Sequence, residues 1–381
     1  MNITGANKIE LLKKGNKQIL LIGDYHYNYK KDGCSLLSLK KNMLIPEFIE
    51  KIIKTHDDKT WDFYFEQGVM TTDGIPDYDF LNKIKESPSN SLIKDAEKEY
   101  KKYVSLWNKN QISLLNLTHI YFTMIGCIPK TKNCPENLRL HFIDIRQKYF
   151  GNCEIGKVHY HKNFYDNLFD AFDNRDFETF IDNIIDSYNE ILTDCSPDKT
   201  KVTNQVFKSE MPDKVIDFFE KKIFSITNLV SDILEILKKG RDKIIELFEE
   251  DLVNDTILAG EYVLDECKKI DAFDRLKKID DGFKSSKKLD FLWEVMLVYI
   301  ITIMDMYALG RMTKPNNNYM IALAGMNHIE RYKDFFLQNG WKSEWTAKQP
   351  YKKCSEVPLS IFDKGTAGIT KKKKTKKNRK N

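Results

Sequence analysis

Near each end of the sequence, a glycine that closes an apolar run is followed three residues later by a histidine. The motif Gly23–His26 (Gly-Asp-Tyr-His) comes directly after the apolar run Lys17–Ile22, and the motif Gly325–His328 (Gly-Met-Asn-His) comes after the apolar run Tyr319–Ala324. A glycine at the end of a strand lets the chain turn sharply, because no Cβ clashes with the backbone. We therefore expect each imidazole to point back over the edge of a sheet.

Two more polar residues follow apolar runs that have the length and pattern of strands. Glu66 comes after Trp61–Phe65, and Arg146 comes after Leu138–Ile145. In an open α/β sheet the carboxyl ends of the strands meet at one edge, where ligands bind. The two motif histidines, Glu66 and Arg146 are therefore expected to line one cleft.

Two imidazoles and a carboxylate in one cleft support two kinds of chemistry. His26, Glu66 and His328 could bind a divalent metal ion (Mn, Co or Zn) that activates a water molecule in an open position. Without a metal, one histidine would act as a general base oriented by Glu66, and Arg146 would stabilise the developing oxyanion. The structural alternative is that these four side chains only cross-brace two loops.

The elements that position these residues alternate between strand and helix at both ends of the chain. Helices are predicted at Pro46–Lys54, at Ser91–Trp107 and, after the last motif, at Ile329–Gln338, which closes at Asn339-Gly340. Apolar runs bounded by glycine and charge suit strands that are buried on both faces. The sequence therefore predicts an α/β fold with a mixed or mostly parallel central sheet flanked by helices.

The middle of the chain has a different pattern. Between about Asn163 and Leu309 only helix-period patterns occur, such as Val215–Phe248 and Ser286–Leu309, with an interruption expected at Lys239-Gly240. We predict a large all-helical insertion there. The expected domains are a discontinuous α/β domain of residues 1–162 and 310–363, a helical insert or cap of residues 163–309, and a basic tail of residues 364–381.

The positive charge of the chain is concentrated in the tail. The 381 residues carry a formal net charge of +5, and eight basic residues lie in Lys371–Lys380. Subtracting these eight charges from +5 leaves −3 on the rest, which argues against a broad phosphate-binding surface. We expect the tail to stay solvated and pack against nothing, with nuclear import or nucleic-acid contact as its alternative role.

The cysteines and the hydropathy of the chain indicate its cellular compartment. The seven cysteines include no Cys-x-x-Cys pair, and the N-terminus lacks the charged-then-apolar order of a signal peptide, so free thiols and a reducing interior are expected. The apolar segment Leu292–Gly310 is interrupted by Glu294 and Asp305, which predicts a buried helix and no membrane span. A cytoplasmic protein is expected.

Other residues are weaker candidates. His159 and His161 have the spacing of a ligand pair, although a polar turn is favoured. Cys34 could act as a nucleophile, although an inert thiol is favoured. Asp305 shares a helix face with Glu294, and the two could lie near the cleft or be solvated; Asp305 could also pair with Arg311 near a helix end.

Together, Gly23–His26, Glu66, Arg146 and Gly325–His328 resemble the motifs of a broad clan that includes the TraB/PrgY and Tiki proteins, the erythromycin esterases and ChaN-like proteins. The resemblance implies an α/β fold in which these residues line one cleft. Tiki-like members are metal-dependent proteases, the esterases use a histidine to activate water against a lactone, and ChaN binds haem. This chain departs from many members in having Asp24 where they have Glu. The segment Asp305–Met312 also resembles versions of the fold encoded by large DNA viruses.

These patterns predict a hydrolase that cleaves an ester or peptide bond in a small-molecule or peptide substrate. The alternative is a non-catalytic binding or virion-associated protein that keeps the fold and attaches through its basic tail. A viral origin would place the protein in the host cytoplasm or the virion, and the tail would allow a nuclear location.

Overall fold

The computed structural model of the chain describes residues 2–4, 6, 8–24, 43–68, 100–106, 113–128, 130–144, 174–193, 212–254, 258–279, 290–348 and 355–362. The strands in this part are β1 (Asn2–Thr4), β2 (Lys8–Lys14), β3 (Lys17–Asp24), β4 (Met43–Leu44), β5 (Trp61–Gly68), β6 (Leu138–Asp144), β7 (Tyr319–Gly325), β8 (Lys342–Lys348) and β9 (Ser355–Glu356). The helices are α1 (Ile45–Thr55), α2 (Leu114–Met124), α3 (Phe177–Leu192), α4 (Asp213–Asn254), α5 (Leu258–Lys269), α6 (Ala272–Ile279), α7 (Asp290–Met312) and α8 (Met326–Gln338), with a 3₁₀ turn at Leu359–Phe362.

A six-stranded mixed sheet forms the centre of the fold, in the order β6-β5-β7-β3-β2-β8. The pairs β6-β5, β5-β7 and β7-β3 are parallel, and β2 runs antiparallel to both of its neighbours. The four apolar runs predicted as strands are the four adjacent parallel strands. The predicted α/β fold with a mixed, mostly parallel sheet is confirmed.

Two strands that the sequence did not predict, β2 and β8, complete the sheet on one side. β2 and β3 form a hairpin whose two-residue turn contains Gly15 at a φ of +58°. β8 covers the other side of β2, and the short strands β4, β1 and β9 form a separate three-stranded sheet. β2 and β8 carry charged residues at nearly every second position, so their apolar signal is weaker than that of the central strands.

The two faces of the sheet carry separate cores. Along β5, Trp61, Phe63 and Phe65 face α1 and α2, where they pack with the buried residues of those helices. Tyr64 faces the opposite way, into a core shared with α7 and α8. This alternation, which has the period of a strand, also sends Asp62 and Glu66 to the α7–α8 face.

Every regular element in the described residues between 174 and 309 is helical, as the sequence predicted. α3, α4, α5, α6 and the first half of α7 enclose a core of their own. α4 and α7 also reach the sheet, where Val215, Phe219, Met306 and Leu309 join the core beneath α8. α4 runs unbroken through Gly240, so the expected interruption was wrong. A Cβ at Gly240 would approach the Tyr262 ring of α5 to 3.0 Å, which gives the glycine a packing role instead.

One helix in the described part of the chain, α7, has the length and apolarity of a membrane span. The window Glu294–Met312 has a mean hydropathy of 1.5, and 78% of it is buried inside the folded chain. A core helix has the same properties, and this one packs against both the helical core and the sheet. The structure therefore gives no clear membrane span.

The end of α8 follows the predicted stop signal. Gly340 has a φ of +79°, the Trp341 N–H donates to the Phe336 carbonyl at 3.0 Å, and the Gly340 N–H donates to the Leu337 carbonyl at 3.1 Å. The Trp341 ring packs on the Phe336 ring with centroids 4.7 Å apart. This is a Schellman ending, in which a left-handed glycine satisfies the last carbonyls of the helix.

The loop between α2 and β6 is closed by a disulfide between Cys127 and Cys134, seven residues apart. The expectation that the cysteines are free thiols was therefore wrong for this pair. The chain folds back after Gly126, at a φ of +77°, which brings the two Cα atoms to 4.8 Å, within the range that a disulfide requires. Cys267 is a buried free thiol, and the other four cysteines lie outside the described residues.

Candidate functional site

The motif Gly325–His328 forms the start of a helix at the carboxyl edge of the sheet. Gly325 ends β7 and is the N-cap of α8, and His328 is the third residue of the helix. His328 is 5% exposed, and its side chain lies beside Glu66, which comes near the end of the neighbouring strand β5. Because β5 and β7 are adjacent, the Glu66 carboxylate lies next to the His328 imidazole.

A third residue, Asp305 of α7, anchors the imidazole. His328 Nδ1 lies 2.5 Å from Asp305 Oδ1, and the second oxygen of the carboxylate accepts a hydrogen bond from Arg331 Nε. Asp305 is completely buried. Since Arg331 follows His328 by three residues on one helix face, α8 presents both cations to the same carboxylate.

Glu66 contacts the other side of the ring. Its Oε1 lies 3.3 Å from His328 Nε2, and its Oε2 accepts a hydrogen bond from the Gly325 N–H. A helix N-terminus favours a negative charge, so the start of α8 stabilises the Glu66 carboxylate. The 3.3 Å contact is longer than a tight charge-assisted hydrogen bond, whereas the contact with Asp305 is short. His328 is therefore fixed at Nδ1 and loosely held at Nε2.

The carboxylates determine the protonation of the imidazole. Burial by itself lowers the pKa of His328, but the negative charges of Asp305 and Glu66 outweigh burial and raise the pKa to about 9. Burial would raise the pKa of Asp305, but the positive charges of Arg331 and His328 outweigh it and lower that pKa. At neutral pH the site therefore holds an imidazolium between two carboxylates.

Two of the four predicted site residues come together in the structure, and the other two cannot be placed. Glu66 and His328 are in contact, whereas His26 and Arg146 lie outside the described residues. Cys34, His159, His161 and the tail from residue 364 also lie outside them. Asp305 pairs with His328 and Arg331, so among its alternatives the place near the cleft is the one found, and the pairing with Arg311 was wrong.

A place near the cleft was one of the alternatives considered for Asp305, but its pairing with His328 was not predicted, although the sequence contained a signal for a paired acid. An acidic residue inside an otherwise apolar, buried helix must be paired, because an unpaired buried charge is very costly. That signal requires a partner but does not identify one, because its partners stand 23 and 26 residues further along the chain.

Gly325 caps α8, and Gly23 has a packing role. Gly325 has a φ of −55°, which any residue can adopt. A Cβ on Gly23 would approach Met326 Sδ to 2.6 Å and would also touch Ile329. Gly23 therefore leaves room for the Met326 side chain in the first turn of α8, two residues before His328.

The described part of the chain contains no group of three or more His, Cys, Asp or Glu residues that could hold a metal ion. Glu66 Oε1 and His328 Nε2, at 3.3 Å, have a separation that two ligands of one ion can have. Asp305 holds Nδ1 as a carboxylate does behind a metal-bound histidine. The third predicted ligand, His26, lies outside the described residues, so these residues account for two donors of the expected three.

A second histidine–carboxylate pair lies on the same face of β5, toward its amino end. Asp62 Oδ1 is 2.7 Å from His141 Nε2, and Asp62 Oδ2 accepts a hydrogen bond from Arg139 at 2.5 Å. The His141 ring stacks on Tyr64 with centroids 4.7 Å apart. Four residues of extended strand put this pair about 13 Å from Glu66. It provides an internal comparison for the site at the carboxyl edge.

Comparisons of the chain with family models, with curated proteins and with solved structures find no match. The resemblance to the TraB, Tiki, erythromycin esterase and ChaN clan thus remains a prediction that depends on the motifs alone.

Proposed function

We propose that the protein is a hydrolase that cleaves an ester or peptide bond at the carboxyl edge of its sheet. The observation that supports this most strongly is the His328 imidazole, fixed by Asp305 at Nδ1 and facing Glu66 through Nε2. An ionised carboxylate and a protonated imidazole in contact form an acid–base pair, and both groups are held in orientation by other buried residues.

The geometry suggests a division of roles that differs from the one expected from the sequence. Glu66 would remove a proton from the attacking water, whose oxygen then bonds to the carbonyl carbon of the substrate. His328 would give its Nε2 proton to the leaving alcohol or amine as the bond to carbon breaks. Asp305, not Glu66, orients the imidazole, and Arg331 holds Asp305 in place.

Glu66 and His328 would also be the described residues that hold a divalent metal ion, if the protein binds one. Such an ion would lower the pKa of a bound water and polarise the substrate carbonyl. Glu66 and His328 cannot act as acid–base groups and as metal ligands at the same time. A dependence of activity on added metal therefore distinguishes the two mechanisms.

The proposal is tested with the full chain against chromogenic esters, lactones and fluorogenic peptides, in EDTA and with added Mn²⁺, Co²⁺ or Zn²⁺. We expect His328→Ala and the isosteric Glu66→Gln each to lower kcat/KM by at least about a hundredfold. The matched control is His141→Ala, which removes the imidazole of the second pair and should change kcat/KM by less than about threefold. Urea unfolding midpoints show whether each variant is folded.

Equal losses in the His141→Ala and Glu66→Gln variants, or full activity in folded His328→Ala, would contradict the proposed site. A folded wild-type protein that turns over none of these substrates under any metal condition would favour the non-catalytic alternative.

A further inference from the structure

Six lysines gather at the amino edge of the sheet, opposite the edge that holds Glu66 and His328. Strand ends and the starts of neighbouring elements bring them there: β2 ends and β3, β7 and β8 begin at this edge, and α4 starts beside it. We call them the amino-edge lysines: Lys13, Lys14, Lys17, Lys214, Lys314 and Lys342. All six are partly or fully exposed.

The contacts of Lys14 and Lys17 leave the charges of these two lysines uncompensated. Lys17 Nζ donates to the Lys314 carbonyl at 2.9 Å, and Lys14 Nζ donates to the Asn339 carbonyl at 2.6 Å. Both acceptors are neutral. Lys13 stands directly across from Lys342 in the register of β2 and β8, an arrangement that is unfavourable for like charges.

The electrostatics agree with this geometry. Burial and the charge of Lys214 lower the pKa of Lys17, and burial and the charge of Lys14 lower the pKa of Lys214. Within the described residues, Lys14, Lys17 and Lys214 form no salt bridge with a carboxylate. Asp213 stands next to Lys214 in the chain and Glu344 lies two residues after Lys342, but neither is paired with a lysine of this cluster.

Lysines of the helical part of the chain differ. Lys239, Lys268 and Lys269 each pair with an acidic residue of their own helix, with N–O distances of 2.5–2.7 Å. The chain outside Lys371–Lys380 is slightly acidic, because subtracting the eight basic residues of that segment from +5 leaves −3. The amino-edge lysines are thus a local cluster, not part of the broad basic surface that the net charge argued against.

The shape of the cluster fits a polymer better than a small anion. β7, β3, β2 and β8 are adjacent, so the cluster extends over roughly 14 Å along the edge. Duplex nucleic acid carries one negative charge per about 1.7 Å of its axis and could contact several of these lysines at once. A single phosphate could reach only one or two.

The basic tail begins from the same edge. Phe362 packs on Trp61, the first residue of β5, with ring centroids 4.6 Å apart, and Lys59 Nζ donates to the Phe362 carbonyl at 3.3 Å. The basic segment Lys371–Lys380 starts nine residues later. Nine residues span at most about 30 Å, which is enough to reach any of the amino-edge lysines.

We propose that the amino-edge lysines form a docking surface for nucleic acid. This surface lies at the opposite edge from the proposed hydrolase site and does not depend on it.

The test uses full-length protein and a fluorescein-labelled 20-base-pair DNA duplex, with fluorescence anisotropy measured from 50 to 200 mM salt. The variant is the triple substitution Lys14→Gln, Lys17→Gln and Lys214→Gln. The matched control is Lys239→Gln, Lys268→Gln and Lys269→Gln, which removes the same charge from the helical part. We expect the first triple variant to bind roughly tenfold more weakly at 50 mM salt and to lower the salt slope by about 2–3, because each phosphate contact contributes about one. The control should change the affinity by less than about twofold.

Equal losses in the two triple variants would mean that only net charge matters and would overturn the docking surface. Full-length protein in which the basic residues of 371–380 are replaced by Gln separates the contributions. If that variant loses all binding while the amino-edge triple variant loses none, the tail alone is the binding element. Binding to vesicles with 30% phosphatidylserine but not to DNA would assign the surface to membranes instead.

Discussion

At the scale of single residues, opposing influences act on the protonation of His328. Burial and the positive end of the helix that carries it both disfavour an imidazolium, whereas Asp305 and Glu66 favour one. The carboxylates prevail because each contacts a different ring nitrogen. The two carboxylates thus keep Nε2 protonated before a substrate binds.

This balance predicts how stability depends on pH in metal-free protein. The pKa of His328 in the folded state, about 9, lies above its ordinary value of 6.5. The stabilisation is therefore complete below about pH 6.5 and is lost as the pH rises through 9, with a total on the order of 3 kcal/mol. We expect urea unfolding in EDTA to show this decline in the wild type and a weaker decline in His328→Gln. The same decline in both proteins would mean that another group causes it.

Replacing Asp305 should lower the stability of the fold far more than replacing another acidic residue that also pairs with an arginine. Asp305→Asn keeps the size of the side chain but leaves Arg331 and His328 buried with one negative charge fewer, which should destabilise the fold by about 3–5 kcal/mol. Asp182→Asn removes the exposed partner of Arg241 and should cost less than about 1 kcal/mol. The measurement is the free energy of unfolding in urea. Similar values for the two variants would show that Asp305 is not the charged centre described here.

At the scale of elements, the arrangement of α8 on β3 and β7 positions the site. The helix starts directly from β7, and the missing side chain at Gly23 allows its first turn to lie close to β3. The N–H of the N-cap then meets Glu66, so one helix start provides both the imidazole and a donor to the carboxylate.

The disulfide in the loop between α2 and β6 predicts that the stability of the protein depends on redox conditions. The disulfide between Cys127 and Cys134 closes a short loop, and reducing it should destabilise the protein by about 2–3 kcal/mol through the entropy of the unfolded chain. Unfolding with and without dithiothreitol measures this difference, and a variant with Cys127→Ser and Cys134→Ser should show no response to the reductant. Alkylation of both thiols in untreated, freshly purified protein would contradict the disulfide.

At the scale of the whole molecule, the helical middle and the sheet share two helices. α4 and α7 each contribute to the helical core and to the core on one face of the sheet. The site draws Glu66 from the first part of the sequence, Asp305 from the helical middle and His328 from the last part. The helical middle thus supplies a residue of the site in addition to covering the sheet.

The basic tail, unlike the helical middle, is expected to contribute nothing to the stability of the fold. Its charge density opposes burial, so deletion of residues 364–381 should change the free energy of unfolding by less than about 0.5 kcal/mol, while it weakens binding to nucleic acid. Thermal unfolding and fluorescence anisotropy measure the two effects. A large fall in melting temperature would show that the tail packs against the folded chain.

The sequence by itself determined the four parallel strands, the helical middle and the stop of α8. These features depend on local patterns: apolar runs that are buried on both faces, a helical period and a glycine after the last turn. β2 and β8 were missed because half of their residues face solvent or other charges, although the Gly15-Asn16 turn is a hairpin signal. Glu66 and His328 were found because each stands beside the end of a strand, where position in sequence nearly fixes position in space.

Only the tertiary structure decided which residues complete the site and which charges remain unpaired. Asp305 meets His328 because α7 crosses the sheet beside α8, and no spacing in the sequence encodes that crossing. The lysines at the amino edge come from five separate segments, so their proximity appears only after the strands are ordered. Local sequence fixes which face or end of an element a residue occupies, and packing decides which distant charges meet there.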